Sequence, residues 1–396
     1  MKRYLKFAFE NSVFLIVGAL IGLVWANIGP SSYAVFRDMQ IIPPSWVSFF
    51  GGSSGHGVGL HYLVNDVLMA FFFALAGKEV WSAMLPGGAL RGMRRAAVPV
   101  ICAVGGMAGP AMIYLMGAAF IGQFATVGRG WAIPCATDIA FSYMIALMVF
   151  GKGHPAVPFL LLLAIADDAI GLVILAVFYP QKALQPLWLL LALGAVVLGL
   201  VMRRWRVRSF WWYLLLPGSI SWTSLALAGL HPALGLLPII PTLPHAHMGE
   251  DHMHWGVSEG NWALDKLESW WKNPVEIILG VFGLMNAGVP LTAFGSATYL
   301  VLLGLLLGKP AGIFLGGLLA RAVFRLSLPD GLSWRMLFVI GCAAGIGFTV
   351  ALFVATVAFV PGPVQDASKM GALSSILAAI VAVVAAKLLG IRRVAE

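Results

Sequence analysis

Asp167 and Asp168 stand side by side in an apolar run, HPAVPFLLLLAIADDAIGLVILAVFY, that ends at Tyr179. A helix starting at Pro155 rises about 18 Å over twelve residues, which carries the pair to about the middle of a bilayer. An acid at that depth is costly, and it marks a functional site by default. Three more polar clusters interrupt apolar segments: Thr137-Asp138, Lys309-Pro310 and Gly345-Ile346-Gly347-Phe348-Thr349.

A hard cation takes oxygen ligands, and Asp168, Asp167 and the hydroxyl or carbonyl of Thr137 offer them. Two adjacent carboxylates in a low dielectric cannot both stay ionised unless a cation or an amine is close. Protons and a metal cation must then compete for the same oxygens, which is the physical core of cation/proton exchange. Lys309 fits this scheme as an intramembrane amine that pairs with one aspartate and releases it when the cation binds.

The elements that must hold these residues are transmembrane. The chain has 396 residues, 60% hydrophobic and only 10% charged, against about 25% charge in soluble domains. Runs of spanning length lie near 12–28, 59–80, 96–120, 130–150, 155–179, 184–202, 209–228, 231–243, 273–290, 294–320, 334–360 and 370–391. They predict an all-α membrane protein of about twelve helices forming one domain over 1–396. The basic start, Lys2, Arg3 and Lys6, leads into a run with no small-x-small exit, so it reads as a first span rather than a cleaved leader. Cys102, Cys135 and Cys342 all lie in apolar segments and read as buried free thiols.

The net charge of +9 does not point to nucleic acid, because its placement follows topology. With the N-terminus inside, Arg94, Arg95, Lys152, the Arg203–Arg208 cluster, Arg321, Arg325 and Lys387 share one side with it. Arg37, Arg129, Lys182 and Lys369 fall on the other. The positive-inside rule makes the first side cytoplasmic and puts both termini there. An outside loop over 29–61 has a Gly51–Gly55 turn signal between 46–50 and 58–62, a hairpin pattern. A cytoplasmic loop over 244–272 is rich in histidine and acid, without tight metal-ligand spacing.

Broken helices at membrane depth occur where backbone lines a cavity. Spans four and five are echoed by spans ten to twelve, which predicts inverted repeats whose interrupted helices cross near the midplane. Asp138 would balance the positive N-terminal ends there, and Lys309 the negative C-terminal ends.

GWAIPCATDIAF (130–141), LAIADDAIGLVILAVFY (163–179), GLHPALGLL (229–237), NAGVPL (286–291), LGKPAGIF (307–314) and GIGFTVALF (345–353) resemble the NhaA family of bacterial sodium/proton antiporters. So do WAN (25–27) and LHYLVNDVLMAFFFALAGKEV (60–80). The resemblance covers nearly the whole chain, in order, and is most specific over 130–179. It implies two crossing broken helices and electrogenic exchange of two protons for one Na+ or Li+ at Asp167 and Asp168. Asp168 and Thr137 would bind the ion, Asp138 would tune the crossing and Lys309 would pair with Asp167. The resemblance also implies a homodimer formed partly through the outside hairpin, a role in pH and sodium homeostasis in the bacterial inner membrane, and no cofactor beyond the transported ions.

Departures fall on the cytoplasmic face. Trp81, Ser82 and Ala83 follow Glu79 where the family usually has a basic and an acidic residue, and Lys78 replaces an apolar one. Asn273 stands for a histidine before proline, with Glu268 retained, and Glu276 is an unexpected charge within the ninth span. Glu79, His231 and Glu268 are the candidates for pH response. The alternative function is a carrier of the same architecture for another cation or solute, such as K+/H+ antiport or ion-coupled symport. An intramembrane aspartyl protease would need aspartates facing each other from two helices. Asp167 and Asp168 are adjacent on one helix, about 100° apart, so no enzyme is expected.

Overall fold

A backbone crossing hydrocarbon must satisfy its own hydrogen bonds, so the apolar runs fold as helices. The computed structural model describes residues 9, 12–42, 58–85, 88, 90, 93–245, 262–391 and 393. In chain order the helices are α1 (Val13–Ile28), α2 (Pro30–Arg37), α3 (Leu60–Met84), α4 (Met93–Phe120), α5 (Phe124–Cys135), α6 (Ile139–Phe150) and α7 (Ala156–Phe178). After them come α8 (Pro186–Arg204), α9 (210–228), α10 (Ala263–Asn286), α11 (Ser296–Ala322), α12 (Trp334–Ala344), α13 (Phe348–Ala358) and α14 (Pro363–Leu388).

Among the described residues, six helices are long and apolar enough to cross a membrane, or eight if each bent pair counts as one span. The two bent pairs are α5 with α6 and α12 with α13, each turning through 52°. Four of the expected twelve spans fall outside this set. α1 is short at 16 residues, and α10 starts at Ala263 with Asp265, Lys266, Glu268 and Lys272 on its first turns. α9 is also outside it. The expected span over 231–243 is two short 3-10 segments, Pro232–Leu234 and Leu237–Thr242. Pro232, Pro238 and Pro241 withhold the N–H groups that an α-helix needs there.

A second expectation is corrected at Lys309-Pro310. α11 is not interrupted there; a π-helical turn over Gly304–Gly308 runs straight into Lys309. The wider turn accommodates the N–H that Pro310 lacks, and the helix continues. The loops also differ in detail. Gln40–Ile42 (β1) pairs antiparallel with Val58–Gly59 (β2), and Leu60–Tyr62 is already helical. The anticipated arm over 46–50 and its glycine turn lie outside the described residues, as does 246–261 of the histidine-rich loop, whose last ten residues form the start of α10.

Glycine sets how closely the helices pack. A Cβ on Gly18 of α1 would lie 1.9 Å from the carbonyl oxygen of Gly280 on α10, and one on Gly105 of α4 would lie 2.3 Å from that of Gly312 on α11. Backbone meets backbone at both seams, which only glycine allows.

Candidate ion-binding site at the helix crossing

The first break falls at Ala136-Thr137-Asp138. Before it, Gly128–Cys135 winds as a 3-10 helix containing Pro134. The second break is Gly345-Ile346-Gly347, and the two strands of broken chain touch: the Asp138 N–H donates to the Ile346 carbonyl at 2.7 Å. Each break leaves helix-end N–H and C=O groups without their intrahelical partners.

Side chains satisfy them by polarity. Asp138 Oδ1 accepts from the Phe141 N–H at 3.3 Å, capping α6. Its Oδ2 accepts from the Thr349 N–H at 3.2 Å and from the Thr349 hydroxyl, at the start of α13. Ser375 Oγ takes the Gly347 and Phe348 N–H groups at 3.3 Å each. At the opposite pole, the carbonyls of Ala343 and Ala344 end α12. Ser142 Oγ lies 3.0 Å from the first, and Thr137 Oγ1 lies 3.1 Å from the second. The Cys135 carbonyl accepts from Lys309 Nζ. One carboxylate thus answers two positive helix ends, and one ammonium answers a negative end.

Lys309 is fully buried, at 0% exposure, and its Nζ lies 2.5 Å from Asp167 Oδ2. That oxygen also lies 2.6 Å from Thr137 Oγ1. Asp167 is 2% exposed, and its Oδ1 is buried with no hydrogen-bond partner among the described residues. A charge in this setting persists only with its partner in place.

Asp168, the next residue on α7, has a different environment. It is partly exposed, and no described residue donates a hydrogen bond to its carboxylate. It lines a chamber of about 30 Å³ with Phe72, Met107, Cys135 and Asp167, room for a water or two. It also lines a larger cavity of about 230 Å³, whose walls include Thr137, Asp138 and Thr349. Toward the exposed end that cavity meets Lys78, Glu79, Glu268, Lys272 and Glu276. Lys78 Nζ donates to Glu268 Oε2, with the carboxylate side 42% exposed.

Thr137, Asp138, Asp167, Asp168 and Lys309 therefore converge on one crossing, with Glu79 and Glu268 along the cavity that leads to it. His231 does not join them. Its Nδ1 accepts from the Ala233 N–H at 3.2 Å and lies 3.8 Å from Asp66 Oδ1, on another part of α3. Several partners were not singled out beforehand, among them Ser142, Ser375, the Thr349 hydroxyl and the Cys135 and Ala344 carbonyls. Thr349 had a signal, since it follows the glycine break directly; the carbonyls had none. Among the described residues no three His, Cys, Asp or Glu side chains cluster as a metal site. The oxygens at the crossing are those of three carboxylates, Asp138, Asp167 and Asp168, with hydroxyl and carbonyl groups around them, the hard donors that an ion such as Na+ accepts.

Two interrupted helices crossing at depth, beside a buried acid–amine pair and an open acid, define a secondary transporter of the broken-helix type. The chain belongs to the Na+/H+ antiporter 1 family, whose model matches residues 2–386. It is 51% identical to the Na(+)/H(+) antiporter NhaA of Jannaschia sp. (strain CCS1), over 99% of each chain. It is 44% identical to the protein of that name from Desulfitobacterium hafniense (strain DSM 10664 / DCB-2), over 100% of this chain and 98% of the relative. Its fold is similar to that of the sodium proton antiporter MjNhaP1 from Methanocaldococcus jannaschii, solved at pH 8. The TM-score is 0.55 at 16% identity, covering 96% of this chain and 92% of that one.

Proposed function

We propose that this chain exchanges Na+ or Li+ for protons, electrogenically, with cation and protons competing for Asp167 and Asp168. The observation that carries the reading is the contrast between the two acids. Asp167 is held by Lys309, and Asp168 faces a cavity with no partner among the described residues. A cation arriving from the cavity meets Asp168 first, with Thr137 beside it. Drawing Asp167 in as a second ligand requires Lys309 to let go, and an unpaired buried ammonium sheds its proton.

The charge count then closes. With Asp168 protonated and Lys309 charged against Asp167, the trio is neutral. With both acids ionised, Lys309 neutral and one cation bound, it carries one negative charge. Passing between these states exchanges two protons for one cation and moves one net charge. In this reading the large cavity opens to the cytoplasm, both termini lie there, and the protein works in the bacterial inner membrane in pH and sodium homeostasis. A homodimer joined in part through the outside hairpin near 46–62 belongs to the same proposal.

The test uses purified protein in liposomes with a trapped pH dye. A Na+ or Li+ pulse should alkalinise or acidify the lumen according to its direction, and Asp168→Asn should abolish the response. A wild-type protein that responds to K+ but not to Na+ or Li+ would establish the other carrier reading. Exchange that survives Asp168→Asn would sink the assignment of the site.

A further inference from the structure

Ser12 precedes α1 with φ 48° and ψ 33°, in the left-handed region that residues with a Cβ rarely enter. A serine before a helix ordinarily accepts a backbone N–H of the first turn. This one caps nothing. It is buried at 3% exposure, and its hydroxyl donates to Glu276 Oε1 at 3.4 Å. The other oxygen, Glu276 Oε2, is buried and has no hydrogen-bond partner among the described residues.

Glu276 sits past the charged first turns of α10, among Val275, Ile278 and Leu279, where an acid serves no packing purpose. Ser12 and Glu276 both line the cavity whose deep wall holds Asp138 and Asp168. Five carboxyl side chains line that cavity (Glu79, Asp138, Asp168, Glu268 and Glu276) against two lysines, Lys78 and Lys272. Of these lysines, Lys78 is occupied by Glu268. Glu276 is thus a carboxylate oriented by a strained serine, with one oxygen unused, on the wall of the route to the crossing.

We infer that Glu276, positioned by Ser12, is a docking carboxylate for the monovalent cation on its way to Asp168, and that it sets apparent affinity rather than maximal rate. The inference rests on the exchange reading above. When ionised, this carboxylate on a low-dielectric wall concentrates cations in the cavity. The carboxylate and hydroxyl, completed by water, also offer the hard oxygens that an alkali cation accepts. The cation then moves on because Asp168 and Asp167 together bind it more strongly.

The experiment is a Na+ titration of exchange by the full chain in liposomes, at fixed pH and low ionic strength. Glu276→Gln should raise the apparent KM about three- to tenfold, the scale on which one charge acts across a wet cavity, with the maximal rate within about twofold of wild type. Ser12→Ala should shift KM in the same direction by about twofold. Added choline salt should shrink both effects by screening. An unchanged KM in Glu276→Gln overturns the inference, as does a fall in maximal rate at constant KM, which would make Glu276 a proton-handling group. If Glu276→Gln does not assemble, Glu276→Asp and Ser12→Ala decide the matter by the same criteria. Asp168→Asn in parallel separates the two claims: if it still exchanges, the exchange reading fails, whatever Glu276 does.

Discussion

Replacing Asp138 with alanine removes the one side chain that two half-helices share. Three donors lose their acceptor: the Phe141 N–H at the start of α6, and the N–H and hydroxyl of Thr349 at the start of α13. Asp138 is 6% exposed, so water does not readily replace it. A hydrogen bond to a charged acceptor contributes about 1.5 kcal/mol or more, and an N-cap about 1 kcal/mol. Allowing the Thr349 hydroxyl to find another acceptor, the loss is about 3–5 kcal/mol. Asparagine keeps one acceptor oxygen and turns an NH2 toward the remaining donors, so Asp138→Asn should cost about half as much. Equilibrium unfolding in detergent, followed by tryptophan fluorescence, reads both. A double-mutant cycle with Thr349→Val should show a coupling of about 1–2 kcal/mol. If Asp138→Ala unfolds within about 0.5 kcal/mol of wild type, or the two substitutions simply add, the shared cap is not what holds the crossing.

Three further outcomes follow from the same structure. Lys309→Ala strands the Asp167 carboxylate and the Cys135 carbonyl and should lower stability by about 3–5 kcal/mol, with partial recovery in Lys309→Ala/Asp167→Asn; unaltered melting and exchange would remove the lysine from the mechanism. His154 lies in the turn before α7, where burial holds its imidazole below the ordinary value of 6.5 and Nδ1 accepts the Ala156 N–H at 3.1 Å. The unfolded chain therefore takes the proton first on acidification. This contribution is complete above about pH 6.5 and is lost as pH falls from there toward the lower folded value, so His154→Asn should flatten the melting curve against pH, and parallel curves would refute the assignment. Gly18→Ala places a methyl 1.9 Å from the Gly280 carbonyl oxygen and should cost about 1–3 kcal/mol by prising α1 from α10, measured by the same unfolding assay.

Much of the crossing was legible because charge inside an apolar run has few explanations. Asp167, Asp168 and Lys309 could be found that way, and Thr137-Asp138 and the glycine break followed from local backbone chemistry. What stayed hidden was tertiary. The π-helical turn at Gly304–Gly308 absorbs Pro310 without a break, and proline alone does not distinguish a kink from a stop. The proline-rich stretch at 232–242 has the hydropathy of a helix without the N–H groups to make one. His231 was legible only as a pH-response candidate beside Pro232; that its ring caps a 3-10 turn and lies near Asp66 depends on the tertiary fold. The Cys135 and Ala344 carbonyls become ligand-like only when the helices end where they do. Ser12 gave no sign at all, since its direction depends on a backbone angle and on a helix more than 250 residues away.

The glycine seams carry a mechanical consequence. Where a missing methyl is all that separates two backbones, as at Gly18 and Gly280 or Gly105 and Gly312, neither helix can slide or roll without colliding with its mate. α1 with α10, and α4 with α11, are therefore stiff two-rod beams. Relative motion falls to the joints between beams and neighbours; the one between α3 and α10 is tied by the Lys78–Glu268 pair, by Asn286 donating to Asn65 Oδ1 at 2.9 Å and by Phe71 stacked on Trp271. Lys309 stands on one of these beams, whereas its partner Asp167 stands on α7, outside both.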